Sequence, residues 1–161
     1  MLSQISKVDA PALISCPDVV RAELIARSIH SSSPRCSSSL VVLDCAAVPE
    51  SLAQSELFGF RKNVFAGPSV VRPGVMERAD SGTLFLGNVG CLTDACQTQL
   101  VHVLEGYPWN RVGDDDPVRV DVRIVASDPD LASRVSAGDF RSDLYFRLRV
   151  IEVDDPKVIE V

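Results

Sequence analysis

Residues 12–29, ALISCPDVVRAELIARSI, place a short apolar run immediately before an amphipathic helical pattern. The run at residues 12–16 has the length and composition of a buried strand. Asp18 is suited to cap a helix, and apolar side chains recur from Val20 to Ile29 at spacings near 3.6 residues. A buried strand followed directly by a helix is the unit from which parallel α/β sheets are built.

The same alternation continues along the chain. Four further apolar runs predict buried strands, at residues 40–43, 83–86, 120–126 and 150–153. The intervening segments predict helices at residues 49–57, 93–104, 129–135 and 140–148, and an irregular stretch at residues 60–73. This order predicts an α/β fold, a three-layer α/β/α sandwich around a parallel sheet of about five strands. The length fits a single domain, residues 1–161, with flexible ends expected at residues 1–9 and 154–161.

Composition argues against several classes of function. The formal net charge is -6, from 16 basic and 22 acidic residues, whereas a DNA-binding surface needs clustered cations. No apolar run approaches the roughly 20 residues of a membrane helix, and no signal-peptide pattern is present at the start. The five cysteines form no C-x-x-C pair. We therefore expect reduced thiols in a cytoplasmic protein that binds neither DNA nor membranes.

Four segments carry a family resemblance. Residues 55–59, SELFG, resemble the E-S-E-L-F-G signature of sigma-54-dependent transcription activators, and residues 82–86, GTLFL, resemble their G-G-T-L-F-L strand. Residues 111–123 are similar to the family's R-V-G…V-D-V-R segment, and residues 138–148 to G-x-F-R-x-D-L-Y-Y-R-L. The resemblance implies the AAA+ P-loop NTPase α/β domain of that family, without its helical lid. It also implies assembly into a ring and ATP-driven remodelling of sigma-54 RNA polymerase.

The phosphate loop that the resemblance implies is altered at every important position. A Walker A loop surrounds phosphates with the backbone N–H groups of glycines and reaches them with a lysine. Where the family has L-I-T-G-E-S-G-T-G-K-E, residues 13–23 have LISCPDVVRAE. The degenerate loop therefore comprises Cys16, Pro17, Asp18, Val19, Val20, Arg21 and Ala22.

These replacements predict that the loop does not bind ATP. Ala22 stands in place of the lysine, and Pro17 lacks a backbone donor. Asp18 can cap the following helix with its own carboxylate and would then repel a phosphate. The alternative is that Arg21, one position before the missing lysine, reaches the phosphates instead.

The metal and base positions implied by the family are also replaced. The strand at residues 83–86 should end in Asp-Glu, which hold Mg²⁺ and activate water, but Gly87 and Asn88 follow it. Glycine has no ligand atom, and asparagine cannot accept a proton at neutral pH. The sensor asparagine is missing as well, since residues 127–129 are Ser-Asp-Pro. We therefore expect a pseudo-ATPase with no catalytic residue of its own, no metal and no cofactor.

Two other family features are partly retained. Arg141 and Arg147 match the positions from which the family presents arginines to the ATP of a neighbouring subunit, although salt bridges to Asp139 or Asp143 are the alternative. The sigma-54 contact loop, G-A-F-T-G-A in the family, corresponds to Asn63, Val64, Phe65, Ala66, Gly67 and Pro68. Ala66 replaces the threonine, which argues against productive contact with sigma-54 RNA polymerase.

Three hypotheses of function follow. The first is a non-catalytic, transcription-regulatory module that docks to AAA+ activator subunits, or to itself, through a ring-type interface. The second is a sensor that binds ATP weakly without hydrolysing it. The third is a decayed fragment with no selected function. A cation site at residues 114–116, three aspartates in a row, is a further possibility, but a solvated turn before Pro117 is the favoured interpretation.

Overall fold

A computed structural model describes residues 2–63 and 65–155. Its helices are α1 (Leu2–Lys7), α2 (Val19–Ser31), α3 (Glu50–Phe58), α4 (Val75–Arg78), α5 (Asp94–Leu104), α6 (Leu131–Ser136) and α7 (Ser142–Leu148). Its strands are β1 (Ala12–Ser15), β2 (Leu40–Asp44), β3 (Phe60–Lys62), β4 (Val70–Arg72), β5 (Thr83–Gly87), β6 (Trp109–Asn110), β7 (Pro117–Val118), β8 (Arg123–Asp128) and β9 (Ile151–Asp154).

The main sheet has five strands in the order β2-β5-β8-β1-β9, and every neighbouring pair is parallel. Ala12 in β1 lies between Val125 of β8 and Ile151 of β9. All five strands therefore end at the same edge of the sheet, which we call the carboxyl edge. The predicted α/β fold with a five-stranded parallel sheet is confirmed.

Helices cover both faces of the sheet. On one face, Ile25 and Ile29 of α2 pack in a cluster with Ile14 and Phe85. On the other face, α5 and α7 contribute to a larger cluster that includes Leu84 of β5. The central strands β1, β5 and β8 are largely buried from both sides, which explains the apolar runs of β1 and β5, whereas the edge strands β2 and β9 are only partly buried.

The stretch predicted to be irregular, residues 60–73, contains an antiparallel hairpin of β3 and β4. The predicted strand at residues 120–126 begins later than expected, at Arg123. Asp121 is hydrogen-bonded to the turn before β5, where its carbonyl accepts from Ser81 N–H at 2.7 Å and its N–H donates to Asp80 at 2.9 Å. The residue is therefore held by this turn before β8 begins.

Within the end predicted to be flexible, residues 1–9, residues 2–7 form α1, a helix that the sequence did not predict. Arg123 is buried and donates hydrogen bonds to the carbonyls of Ile5 at 3.0 Å and Ser6 at 3.2 Å, which fixes the last turn of this helix. At the other end predicted to be flexible, from residue 154, Asp154 belongs to β9 and Asp155 is buried. Residues 156–161 lie outside the described part.

The cysteines at positions 16, 36, 45, 91 and 96 are free thiols. Within the ranges that the structure describes, no helix combines the length and apolarity needed to cross a membrane.

Candidate functional site

The carboxyl edge is the candidate site, because ligands of parallel α/β sheets bind where the strands end. β1 is followed there by the degenerate phosphate loop, β5 by Asn88 and β8 by Pro129. The edge therefore brings together the positions that the sequence singled out for phosphate, metal and sensor.

The loop between β1 and α2 has three residues, Cys16, Pro17 and Asp18. As predicted, Asp18 caps α2, and its Oδ1 accepts a hydrogen bond from Val20 N–H at 2.9 Å. Its carbonyl accepts from Ala22 N–H at 3.0 Å, and Cys16 N–H donates to the Asp128 carbonyl at 3.2 Å. The helix thus begins at Val19, and several backbone donors that a phosphate would need are bound within the chain.

Arg21 does not face an open phosphate position. Its Nε lies 2.7 Å from Oδ1 of Asp155, which follows β9 and is buried. Ala22, at the lysine position, is fully buried. Cys16 is buried too, and this burial raises the pKa of its thiol, so the group stays uncharged at neutral pH.

Gly87, at the metal position, has no room for a side chain. A Cβ atom built on it would lie 2.5 Å from Cγ2 of Val19 and 3.3 Å from Cε1 of Phe85. Asn88 adopts a left-handed backbone, with φ 51° and ψ 48°, which asparagine tolerates. Its Nδ2 donates to Oδ1 of Asp44 at 3.0 Å, so the amide ties the end of β5 to the end of β2.

Asp128, which ends β8, has a structural set of partners. Its carboxylate accepts from the backbone N–H groups of Gly90 at 3.0 Å and Asp130 at 3.1 Å. Nε of Arg134 lies 3.5 Å from the same carboxylate. These hydrogen bonds and this ion pair offset the free-energy cost of burying the Asp128 carboxylate.

Arg141 and Arg147 lie at the surface and carry exposed partners. Arg141 makes a two-pronged salt bridge to Asp143, at 3.0 and 2.8 Å, as the alternative interpretation expected. Arg147 pairs with Glu105 at 2.8 Å rather than with Asp139. Both arginine side chains are more than two-fifths exposed. Pairs of this kind are worth about 0–1 kcal/mol, so a competing anion can displace them.

The sigma-54 contact loop corresponds to the connection between β3 and β4. Phe65 is fully exposed there, and Ala66 has a left-handed backbone with φ 59°. Gly67 and Pro68 are exposed as well. Val64 lies outside the described residues. The loop is carried by the antiparallel hairpin of β3 and β4.

The base of this hairpin is held by Asp114, and the solvated turn favoured for residues 114–116 is wrong at this position. Oδ1 of Asp114 lies 3.0 Å from Nε of Arg61, and Oδ2 lies 3.2 Å from Nη1 of Arg111. The backbone N–H of Asp116 and these two guanidiniums hold the pKa of the Asp114 carboxyl below its ordinary value. Among the described residues, no group of three or more His, Cys, Asp or Glu could hold a metal ion.

Comparison with known proteins identifies the family. The family model of the sigma-54 interaction domain matches residues 1–154. The chain belongs to this family. Among curated proteins, this sigma-54 interaction domain is similar to nitrogen fixation protein AnfA of Azotobacter vinelandii, with 42% identity over 161 residues, 99% of this chain and 30% of the relative. It is also similar to the anaerobic nitric oxide reductase transcription regulator NorR of Aeromonas salmonicida. The identity is 49% over 142 residues, which cover 88% of this chain and 28% of the relative.

The sigma-54 interaction domain described here thus spans less than a third of the length of these curated relatives. Among solved structures, NtrX from Brucella abortus superposes with a TM-score of 0.87 at 30% identity, over 95% of this chain and 34% of NtrX. NtrX in complex with ATP gives a TM-score of 0.84, over the same shares of the two chains. The fold is shared with the P-loop NTPase domain of a sigma-54 activator from E. coli. That structure gives a TM-score of 0.60 at 19% identity, over 95% of this chain and 87% of the other.

Two features of this sigma-54 interaction domain could not be found by sequence reasoning. The pairing of Arg21 with Asp155 requires that β9 lies beside β1, and the sequence gives no signal for that neighbourhood. The contact of Val19 with Gly87 requires that α2 crosses β5. The family pattern shows that both positions are changed, but it does not show that they touch.

Proposed function

We propose that this chain is a catalytically inactive sigma-54 interaction domain of the AAA+ class, acting in the cytoplasm as a transcription-regulatory interaction module. It docks to AAA+ activator subunits, or to a second copy, and does not bind DNA. The observation that carries the proposal is the Asp18 cap, which places a carboxylate at the start of α2, where the family binds phosphate. A helix N-terminus attracts an anion only while its N–H groups are open to it.

ATP with Mg²⁺ is the ligand that the family implies, and the residues present do not fit it. The loop offers three residues with one proline, and its lysine position is a buried alanine. A lost charge-assisted hydrogen bond costs about 1.5–3 kcal/mol. Losing the lysine and several loop donors together weakens micromolar binding to millimolar or worse.

The hydrolytic positions support the same proposal. Gly87 offers no side-chain oxygen to a metal, and the amide of Asn88 cannot take a proton from water at neutral pH. In addition, the Asn88 amide is already bound to Asp44. The chain would therefore contribute to transcription by contact rather than by turnover.

The groups available for such contact are Arg141 and Arg147. A guanidinium stays charged and can donate two hydrogen bonds to a phosphate, and an arginine acting on a neighbour needs no nucleotide in its own subunit. The weak surface pairs with Asp143 and Glu105 leave both side chains free to exchange partners. The replaced threonine at Ala66 argues that sigma-54 RNA polymerase itself is not the main partner.

The absence of nucleotide binding is tested by thermal unfolding with and without Mg-ATP. We expect no shift of the Tm up to about 5 mM, whereas a ligand at 100 times its Kd would stabilise by about 2.7 kcal/mol and raise the Tm by roughly 5–10 °C. A shift of several degrees that disappears in Arg21→Ala, but persists in Arg27→Ala, would instead support the ATP sensor. Arg27 is a matched control because it pairs with Glu23 on the exposed face of the same helix.

The docking proposal is tested by measuring binding of the chain to full-length NorR or AnfA loaded with ATP. We expect a complex that weakens at least about 100-fold in the Arg141→Ala/Arg147→Ala double variant, because each lost charge-assisted contact is worth about 1.5–3 kcal/mol. Arg149→Ala is the control, since this exposed arginine on the same helix end pairs with Glu152. A folded chain that binds neither activator nor itself would support the decayed fragment.

A further inference from the structure

The contact between Val19 and Gly87 joins two positions that are both changed from the family pattern. Gly87 does not have the left-handed backbone that favours glycine, so its conformation suits other residues. What excludes a side chain is space, because Cγ2 of Val19 would lie 2.5 Å from an added Cβ. The second neighbour, Cε1 of Phe85, would lie 3.3 Å away, a distance that a small movement of the ring relieves.

The two changes are opposite in volume. By the resemblance in sequence, position 19 is a glycine in the family and position 87 is the metal-binding aspartate. In this chain position 87, at the end of β5, has no side chain, whereas position 19, the first residue of α2, carries a valine side chain. Val19 packs with the apolar cluster that contains Phe85 and Ile14, so carbon fills a space that would otherwise hold a carboxylate.

We propose that Val19 and Gly87 are a compensated pair, in which the Val19 side chain occupies the space left by the missing side chain at position 87. The carboxyl edge of this domain is thereby packed without a nucleotide. Loss of the aspartate alone would leave a gap above β5, and unfilled space in a core is costly. The side chain of Val19 fills that gap. It also leaves no room for an aspartate side chain at position 87. Neither change can be reversed alone without a gap or a clash.

Two polar contacts hold the same edge from either side of the pair. Arg21, two residues after Val19, binds Asp155 at the end of β9, and Asn88, next to Gly87, binds Asp44 at the end of β2. The first contact ties the start of α2 to the end of β9, and the second ties the end of β5 to the end of β2. The proposal that the carboxyl edge is filled without nucleotide rests on the proposed lack of nucleotide binding.

The pair is tested by a double-mutant cycle of Gly87→Ala and Val19→Ala, measured as Tm without nucleotide. Gly87→Ala should lower the Tm by about 5 °C, because an overpacked core site is strained. In the Val19→Ala background, where Cγ2 is gone, the same change should lower it by less than about 2 °C. Gly138→Ala is the control, because no atom lies within 4 Å of its added Cβ and its cost should be equal in both backgrounds.

Equal losses for Gly87→Ala in the two backgrounds, or no loss in either, would overturn the proposed pair. Neither result would affect the proposed function, because no ligand is present in the cycle. Conversely, a Tm shift with Mg-ATP would contradict the proposed function and leave the measured coupling in place. As a second readout, Gly87→Asp should lower the Tm more in the native background than beside Val19→Gly.

Discussion

Arg123→Ala is expected to lower the free energy of unfolding by about 3 kcal/mol. Arg123 is 3% exposed, and its guanidinium donates to the carbonyls of Ala10 at 3.0 Å, Ser6 at 3.2 Å and Ile5 at 3.0 Å. Burial lowers the pKa of Arg123, yet an arginine remains charged at neutral pH. Alanine would leave a cavity and remove the donor from carbonyls at the end of α1, where a cation is favourable.

Urea denaturation measures this loss, and hydrogen exchange in α1 locates it. Arg119→Ala is the control, since that exposed arginine makes one bond of 3.3 Å to the Gly106 carbonyl and should cost less than about 0.5 kcal/mol. Equal losses in the two variants would contradict the role given to Arg123. Unchanged hydrogen exchange in α1 would show that the helix is held by other contacts.

Gly82→Ala is expected to cost at least about 3 kcal/mol, or to prevent folding. An added Cβ would overlap the carbonyl oxygen of Ser39, which accepts a hydrogen bond from Thr83 N–H at 3.0 Å. The Gly82 carbonyl in turn accepts from Arg123 N–H at 3.0 Å. The clash therefore falls on backbone at the start of three strands, where no side-chain rotation can relieve it.

The control for Gly82→Ala is Gly106→Ala. Gly106 has a φ of 88° but no atom within 4 Å of an added Cβ, so only backbone strain of about 1 kcal/mol is expected there. The measurement is the Tm together with the yield of folded protein. Similar losses at the two positions would show that β2 can move away from Gly82 and that the crowding is not decisive.

The sequence predicted those parts of the fold that depend on local pattern. The central strands β1 and β5 are largely apolar runs because helices cover both faces, and Asp18 is visible as a cap because it precedes a helical periodicity. The hairpin of β3 and β4 is different. Arg61 at its base pairs with Asp114, and Arg61 N–H donates to the Val112 carbonyl at 2.8 Å. The hairpin is therefore stabilised by residues that are distant in sequence. For this reason residues 60–73 themselves show no periodicity that would predict it.

The candidate site was predicted in the same uneven way. Replacement of the phosphate, metal and base positions is visible from the resemblance to the family pattern, and so is the retention of Arg141. The partners are not visible, because Arg21 meets Asp155, and Val19 meets Gly87, only after the sheet has formed. α1 was missed for the same reason, since its carbonyls are bound by Arg123 from the far end of the chain.

The position of β1 in the sheet has a consequence for the order in which the chain folds. β1 is near the start of the sequence, yet both of its neighbours, β8 and β9, come near the end. Such non-local pairing slows folding, because a long loop must close before any contact rewards it. During synthesis, this apolar strand therefore emerges from the ribosome long before either partner exists. The nascent domain exposes β1 to aggregation until β8 and β9 have been made.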